Sequence, residues 1–130
     1  MTEAMELALR YQQARNFQAA EYLYRKILRE QPNNSRACLG LAFVLQEGGG
    51  VDEAMAYYRQ ALKLNPQSAD AFYNLGSIFH QRGNLDEAAT YYERAVEINP
   101  QLTMAYNNLG SILQQKGRFD EAIGLYQKAL

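Results

Sequence analysis

Few side chains of this chain have the type and spacing needed for covalent or metal chemistry. His80 is the only histidine, so neither a histidine-pair metal site nor a Ser-His arrangement exists within the sequence. Cys38, the only cysteine, falls at a core position, where a small buried thiol is expected. An enzyme needs a nucleophile, a base or a metal cluster at workable spacing. The sequence therefore predicts that the chain is not an enzyme and binds no metal or cofactor.

Glycine-rich and charged segments also have simpler explanations than catalysis. The run Gly48, Gly49 and Gly50 lacks the following Lys-Ser/Thr of a phosphate loop. Acidic pairs such as Asp86 and Glu87 recur at predicted helix starts, where the helix dipole favours them. The net charge of −1 gives no electrostatic basis for nucleic-acid binding. No apolar stretch is long enough to span a membrane and no signal peptide is visible, so we take the cytoplasm as the default location.

A period of 34 residues organises the chain and must position whatever site it has. Four kinds of residue recur at this spacing: Pro32, Pro66 and Pro100; Ala20, Ala54, Ala88 and Ala122; Tyr24, Tyr58, Tyr92 and Tyr126; and Leu7, Leu41, Leu75 and Leu109. A fixed period of this length is typical of stacked repeats. The repeats are then residues 1–34, 35–68, 69–102 and 103–130, with the last one shorter than the others.

Each repeat reads as two helices. In the third, Phe72, Leu75, Gly76 and Phe79 have the spacing of one helical face. Gly83 follows as a left-handed cap, and Pro100 ends the second helix of the repeat. Two further sets complete this prediction: Ser35, Ser68 and Thr103 as helix N-caps, and Ala8, Ala42, Gly76 and Gly110 as the small residues where paired helices approach.

These residues carry a resemblance to the tetratricopeptide repeat (TPR) family. The family pattern of aromatic, Leu-Gly, aromatic, Ala, aromatic, Ala and Pro is matched in the third repeat by Phe72, Leu75, Gly76, Phe79, Ala88, Tyr92, Ala95 and Pro100. The resemblance covers the whole chain. It implies an all-α fold, a right-handed α-solenoid of four antiparallel helix pairs forming a single array over residues 1–130.

The two ends of the array differ. Stacking positions are apolar in the inner repeats, for example Ala37 and Val44, but are Glu3 and Arg10 in the first. We therefore expect residue 1 to be close to a natural start, and residues 1–130 to be the N-terminal part of a longer protein. The alternative is that the uncapped C-terminal face is covered in a homodimer.

The resemblance places the binding surface on the first helices of the repeats, which line the concave side of such arrays. The residues expected to bind a peptide there are Met5, Leu9, Leu39, Phe43, Tyr73, Asn74, Ser77, Asn107, Asn108 and Ser111. The apolar residues of this set face water unless a partner covers them, and apolar clusters of this kind mark binding surfaces. Its amides both donate and accept hydrogen bonds, so they can hold the backbone of an extended segment.

Three functions follow for the chain. The first is a protein-protein interaction module that binds an extended peptide or protein segment in the groove. The second is a scaffold that associates with copies of itself. The third is a substrate-presenting arm of a larger enzyme such as a glycosyltransferase, because Asn74 and Asn108, one repeat apart, resemble the asparagine ladder of O-linked N-acetylglucosamine transferases.

Overall fold

The computed structural model describes residues 3–130, and the regular structure in that range is entirely helical. Met1 and Thr2, part of the terminus in which the sequence shows no signal peptide, lie outside the described residues. The described helices are α1 (Glu3–Gln13), α2 (Phe17–Glu30), α3 (Ser35–Glu47), α4 (Val51–Leu64), α5 (Ala69–Gln81), α6 (Leu85–Ile98), α7 (Thr103–Gln115) and α8 (Phe119–Ala129). The prediction of an all-α chain with two helices per repeat is confirmed.

The chain divides into two compact units, each containing two repeats. Unit 1 is Met1–Pro66 and holds α1 to α4, while unit 2 is Gln67–Leu130 and holds α5 to α8. In each unit the two helices of a repeat pack on each other, and the second helix of one repeat packs on the first helix of the next. Every helix is therefore held mainly by its neighbours in sequence, as in other repeat proteins.

The core of each unit is built around the tyrosine of the second helix. Tyr24, Tyr58 and Tyr92 are fully buried, as are the alanines four residues before them. The small residues of the first helices allow this packing. A Cβ atom on Gly76 would lie 2.8 Å from the Tyr92 ring, closer than carbon atoms pack. The predicted small-residue contact between paired helices is confirmed.

The turn between the two helices of a repeat depends on left-handed backbone. Gly49, Gly83 and Gly117 have φ values of 89°, 79° and 78°, as the spacing predicts. Arg15 occupies the same position in the first repeat with φ 61°. Its guanidinium lies 5.0 Å from the centre of the Phe17 ring, and it pairs with Glu47. These contacts accompany a conformation that a non-glycine residue adopts at a cost.

The predicted N-caps of the first helices are correct at one position of three. Ser68 caps α5 by accepting a hydrogen bond from the Ala71 amide at 3.2 Å. Asn34, rather than Ser35, caps α3 through the Ala37 amide at 3.0 Å. Leu102, rather than Thr103, precedes α7, and it makes no side-chain cap bond. Asparagine is as good an N-cap as serine, so the choice between adjacent residues is not readable from residue type alone.

The stacking positions are covered where one repeat follows another within a unit. Ala37 and Val44 of α3 are buried in unit 1, and Ala105 and Ile112 of α7 are buried in unit 2. Leu7 is 41% exposed although it shares the column of the buried Leu41 and Leu109. No described helix precedes α1 to cover that face.

Candidate functional site

The first helices α1, α3, α5 and α7 each present an outer face that holds the residues predicted to bind a peptide. We call this surface the first-helix face and describe it separately in each unit. Most of these side chains are half-buried: Leu9, Leu39, Phe43, Tyr73, Asn74, Ser77, Asn108 and Ser111. Asn107 is exposed, whereas Met5 is buried with 4% of its surface accessible. The sequence predicted that Met5 contacts a partner. In the structure its long, flexible side chain packs inward instead, so it is not available on the surface.

In unit 1 the first-helix face is apolar. Leu9 of α1 and Leu39 and Phe43 of α3 form what we call the apolar patch. The Phe43 ring lies 6.4 Å from that of Phe17 in an edge-to-face arrangement. Edge-to-face contacts of this kind are favourable, and Phe43 keeps part of its surface accessible beside Phe17.

In unit 2 the same face is polar. We call the predicted peptide-binding residues of this unit the amide patch: Tyr73, Asn74, Ser77, Asn107, Asn108 and Ser111. The Asn108 amide nitrogen donates hydrogen bonds to the hydroxyl oxygens of Tyr73 at 3.2 Å and Tyr92 at 3.3 Å. Its two hydrogens are thereby engaged within unit 2, and its carbonyl oxygen has no hydrogen-bond partner among the described residues.

The Tyr92 hydroxyl is the centre of this polar network. It contacts His80 Nδ1 at 3.3 Å in addition to Asn108, and it is hydrogen bonded to Ser77. Burial raises the pKa of Tyr92 to about 12, with a smaller contribution from Tyr73. The phenol therefore remains protonated at neutral pH and acts as a fixed hydrogen-bonding group, with no role as a base.

One group of contacts was missed in the sequence analysis. The tyrosine hydroxyl of each second helix reaches the residue twelve positions earlier, on the first helix of the same repeat. Tyr24 donates to Gln12 Oε1 and Tyr58 donates to Gln46 Oε1, both at 2.6 Å. Tyr126 donates to Gln114 Oε1 at 3.0 Å. His80 replaces the glutamine in the third repeat. The constant spacing of twelve between an amide and a core tyrosine is the signal that could have revealed these pairs.

The asparagine pair does not continue into unit 1, and the structure gives the steric reason. Gly40 occupies the equivalent position in α3, and a Cβ there would lie 2.3 Å from the Tyr24 ring. With glycine at this position, the buried Tyr24 ring occupies the space that an asparagine side chain would need. Position 40 is therefore part of the core rather than of the binding face.

The side chains that could hold a metal ion are dispersed within residues 3–130. No group of three or more histidine, cysteine, aspartate or glutamate residues in this range lies close enough to hold a metal ion. Cys38 is buried, and burial raises the pKa of its thiol, which disfavours the reactive thiolate. None of the described helices has the length and apolar character required to cross a bilayer.

Comparison with known proteins identifies the family. Tetratricopeptide repeat models match residues 39–103 and residues 104–130. The chain belongs to the TPR family. The resemblance predicted from the repeat pattern is therefore confirmed, and so is the helix-pair architecture that it implied.

Solved structures of other TPR-like chains share this fold. PilF of Pseudomonas aeruginosa is similar over 98% of this chain, with 26% identity and a TM-score of 0.86, and this chain spans 58% of the PilF chain. MamA of AMB-1 is similar over 97% of this chain and 69% of its own, with 21% identity and a TM-score of 0.75. None of the curated proteins matches the sequence significantly. The TPR family is associated with protein-protein interaction, and this is the class of function to which the chain is assigned.

Proposed function

We propose that this TPR chain is a non-catalytic module that binds an extended peptide or protein segment on its first-helix faces. The observation that carries the proposal is the fixed orientation of Asn108. Its amide nitrogen is held by the Tyr73 and Tyr92 hydroxyls, while its carbonyl oxygen has no hydrogen-bond partner among the described residues. A pre-oriented acceptor of this kind suits a backbone N–H, because little side-chain freedom is lost on binding.

The apolar patch of unit 1 supports the same function through a different interaction. Leu9, Leu39 and Phe43 keep part of their surface accessible. The neighbouring residues Cys38, Leu41 and Ala42 are buried in the core. A partner side chain that covers these residues would gain about 25 cal/mol for each Å² of apolar surface removed from water. We propose that unit 1 selects an apolar side chain, while unit 2 holds backbone.

Peptide selection followed by substitution tests this function. Random peptides displayed on phage are selected against the intact chain, and the affinities of the selected peptides are then measured for Asn108→Ala and Phe43→Ala. We expect each substitution to weaken binding by about 1–2 kcal/mol, a loss typical of a contact that contributes strongly to an interface. Tyr73→Phe should also weaken binding, since it releases one hydrogen bond that orients Asn108.

Asn33→Ala is the matched control, because Asn33 is an exposed asparagine in the turn between α2 and α3. It should bind the selected peptides as the parent chain does. Selected peptides whose affinity is unchanged in both Asn108→Ala and Phe43→Ala would contradict the proposal.

A second candidate function, self-association, is favoured by the outer face of α8. Ile123 is 53% exposed, and Tyr126 and Ala129 are only half-buried, although the matching Tyr92 and Ala95 are fully buried. Together with Asn107, the α8 residues border a hollow of about 300 Å³. We propose that two copies pair through this face about a two-fold axis, which buries the same apolar residues in both.

Sedimentation velocity over a range of concentrations tests this pairing. The parent chain should sediment as a concentration-dependent dimer, and Ile123→Lys should remain a monomer because the lysine would bring two like charges together. A parent chain that stays monomeric at high concentration would dismiss the homodimer and leave peptide binding unaffected.

A further inference from the structure

Unit 2 contains a cleft that does not belong to the first-helix face. It lies between the second helices α6 and α8, with α7 as its floor, and has a volume of about 610 Å³. Leu109 and Ile112 of the floor are buried, while Leu113 and Leu125 line the cleft and are half-buried. Its size and apolar lining are those of a ligand pocket rather than of a packing defect.

Charged residues border this apolar floor, and most of them are already paired. Lys116 pairs with Asp86, and the hydrogen bond from the Lys116 ammonium lowers the pKa of that carboxyl. Arg118 donates from Nε to Glu121 Oε1 at 2.9 Å. Of the charged residues that border the cleft, Glu93 of α6 and Lys128 of α8 make no ion pair with any described residue. Glu93 is exposed at one side of the cleft, so a carboxylate is available there.

The equivalent space in unit 1, 68 residues earlier, shows what fills such a cleft. There the cavity is only about 340 Å³, and its lining residues include Tyr57 and Arg25. Arg25 donates to Glu21 at 3.0 Å and across to Glu53 of α4 at 3.1 Å. It thereby connects the two second helices of the unit.

Four substitutions between the repeats remove those groups from unit 2. Leu125 stands in place of Tyr57, Glu93 in place of Arg25, Ala89 in place of Glu21, and Gly124 in place of Ala56. The ring becomes a smaller side chain, and the bridging cation becomes an anion. A Cβ added to Gly124 would meet no atom within 4 Å, so this wall of the cleft is open.

We propose that the cleft of unit 2 is a second binding site, which takes an aromatic side chain with an adjacent arginine from a partner peptide. The aromatic ring lies on Leu109, Leu113 and Leu125, in the space that Tyr57 lines in unit 1. The partner arginine pairs with Glu93, on the α6 side of the cleft. The partner arginine is directed away from α8, because the positive charge of Lys128 would repel it there.

Methyl and amide NMR spectra of the intact chain test this site with two small probes. The first probe is acetyl-tyrosyl-arginine amide, and the second is acetyl-tyrosyl-glutamate amide, which has the same ring and the opposite charge. We expect the first probe to shift the signals of Leu109, Leu113, Gly124 and Leu125 and to bind more tightly than the second. Equal binding of the two probes would overturn the assignment of a cation to Glu93.

Three variants sharpen the test. Glu93→Gln should weaken the arginine probe by about two- to five-fold, the effect of one exposed ion pair. Glu87→Gln on the same helix is the matched control, since Glu87 is exposed and does not line the cleft, and it should bind the probe as the parent does. Gly124→Ala combined with Leu125→Tyr restores the unit 1 residues and should abolish binding in a chain whose circular dichroism is unchanged.

The location of the shifts decides the remaining outcomes. Shifts confined to Ser77, Asn107 and Asn108 would mean that the probe binds the first-helix face, and would overturn the proposal. Absence of any shift at millimolar probe would overturn it too. Neither result would alter the peptide-binding function proposed above, because that function depends on other residues.

Discussion

At the positions where two helices approach most closely, one methyl group is enough to disturb the packing. Gly40 is the most restrictive such position, since an added Cβ would lie 2.3 Å from the Tyr24 ring and 2.7 Å from its hydroxyl oxygen. Tyr24 has no accessible surface, so moving its ring would disturb the core around it. Gly110 is less restrictive, because its neighbour Tyr126 is only half-buried and can shift.

Gly40→Ala should therefore destabilise the chain. Overpacking costs about 1–3 kcal/mol, and the better helix propensity of alanine returns about 1 kcal/mol, so we expect a net loss of up to about 2 kcal/mol. Urea denaturation followed by circular dichroism measures this change. Gly110→Ala serves as the comparison and should lose less. A Gly40→Ala chain as stable as the parent would show that the α2–α3 contact can relax.

Two other glycines separate backbone strain from packing. Added Cβ atoms at Gly83 and Gly124 would both meet open space, but Gly83 has φ 79° whereas Gly124 lies within α8. Gly83→Ala should cost about 1 kcal/mol because alanine disfavours the left-handed region. Gly124→Ala should gain up to about 1 kcal/mol from helix propensity. Thermal unfolding of both variants measures the difference, and a shift of the same sign in both would contradict this explanation.

At the scale of elements, the hydrogen bond between a core tyrosine and the amide twelve residues earlier links the two helices of a repeat. In the first repeat Tyr24 donates to Gln12 Oε1 at 2.6 Å, which joins α2 to α1. The tyrosine is fully buried, so its hydroxyl would lack a partner if the glutamine were removed. An unsatisfied buried hydroxyl costs about 1–3 kcal/mol.

Gln12→Leu should thus destabilise the chain by about 1–2 kcal/mol, and combining it with Tyr24→Phe should recover part of that loss. A double-mutant cycle of unfolding free energies measures the coupling between the two residues. Additive losses would mean that the hydroxyl finds water or another acceptor in the single variant. Gln13→Leu, one position along the same helix and exposed, is the control and should change stability little.

The helices themselves were predictable because their signals recur in three or all four of the repeats. Pro66 and Pro100, the left-handed glycines and the Ala and Tyr columns each fix an end or a buried face, and the structure agrees with them. What the sequence analysis missed depends on side-chain reach. Met5, Leu39 and Tyr73 occupy equivalent positions in successive repeats. This equivalence does not reveal that the flexible methionine is buried whereas the tyrosine is half-exposed.

The amide patch was predicted by residue type, but its organisation was not. Residue type alone does not tell that the Asn108 nitrogen is held by two tyrosine hydroxyls, because these come from α5 and α6, 35 and 16 residues away in sequence. The same holds for the cleft of unit 2. Its origin is visible in the substitutions of Leu125 for Tyr57 and Glu93 for Arg25, but only once the packing shows that these positions face one space.

At the scale of the whole molecule, buried tyrosines make stability depend on alkaline pH. Burial raises the pKa of Tyr24 to about 12 and that of Tyr92 to about 12, from an ordinary value of 10.0. A raised pKa means that the folded chain holds the proton more tightly than the unfolded chain does. The associated stability is present below pH 10 and is lost as the pH rises toward 12. Each tyrosine contributes about 2–3 kcal/mol to this change.

We therefore expect the chain to unfold cooperatively between pH 10 and 12, and the two tyrosines to ionise as it does so. Tyrosinate absorbance and circular dichroism, recorded together along a pH titration, measure the two events. Tyr92→Phe should move the unfolding midpoint to higher pH. Full tyrosinate absorbance in a chain that is still helical would contradict the prediction.

Packing between sequence neighbours also has a kinetic consequence. Because the helices within each unit contact chiefly their neighbours in sequence, only short loops have to close before native contacts form there. Chains of this low contact order fold in about microseconds to milliseconds. Such folding can nucleate at more than one helix hairpin and spread to its neighbours, so a defect at one hairpin redirects the folding route without blocking it.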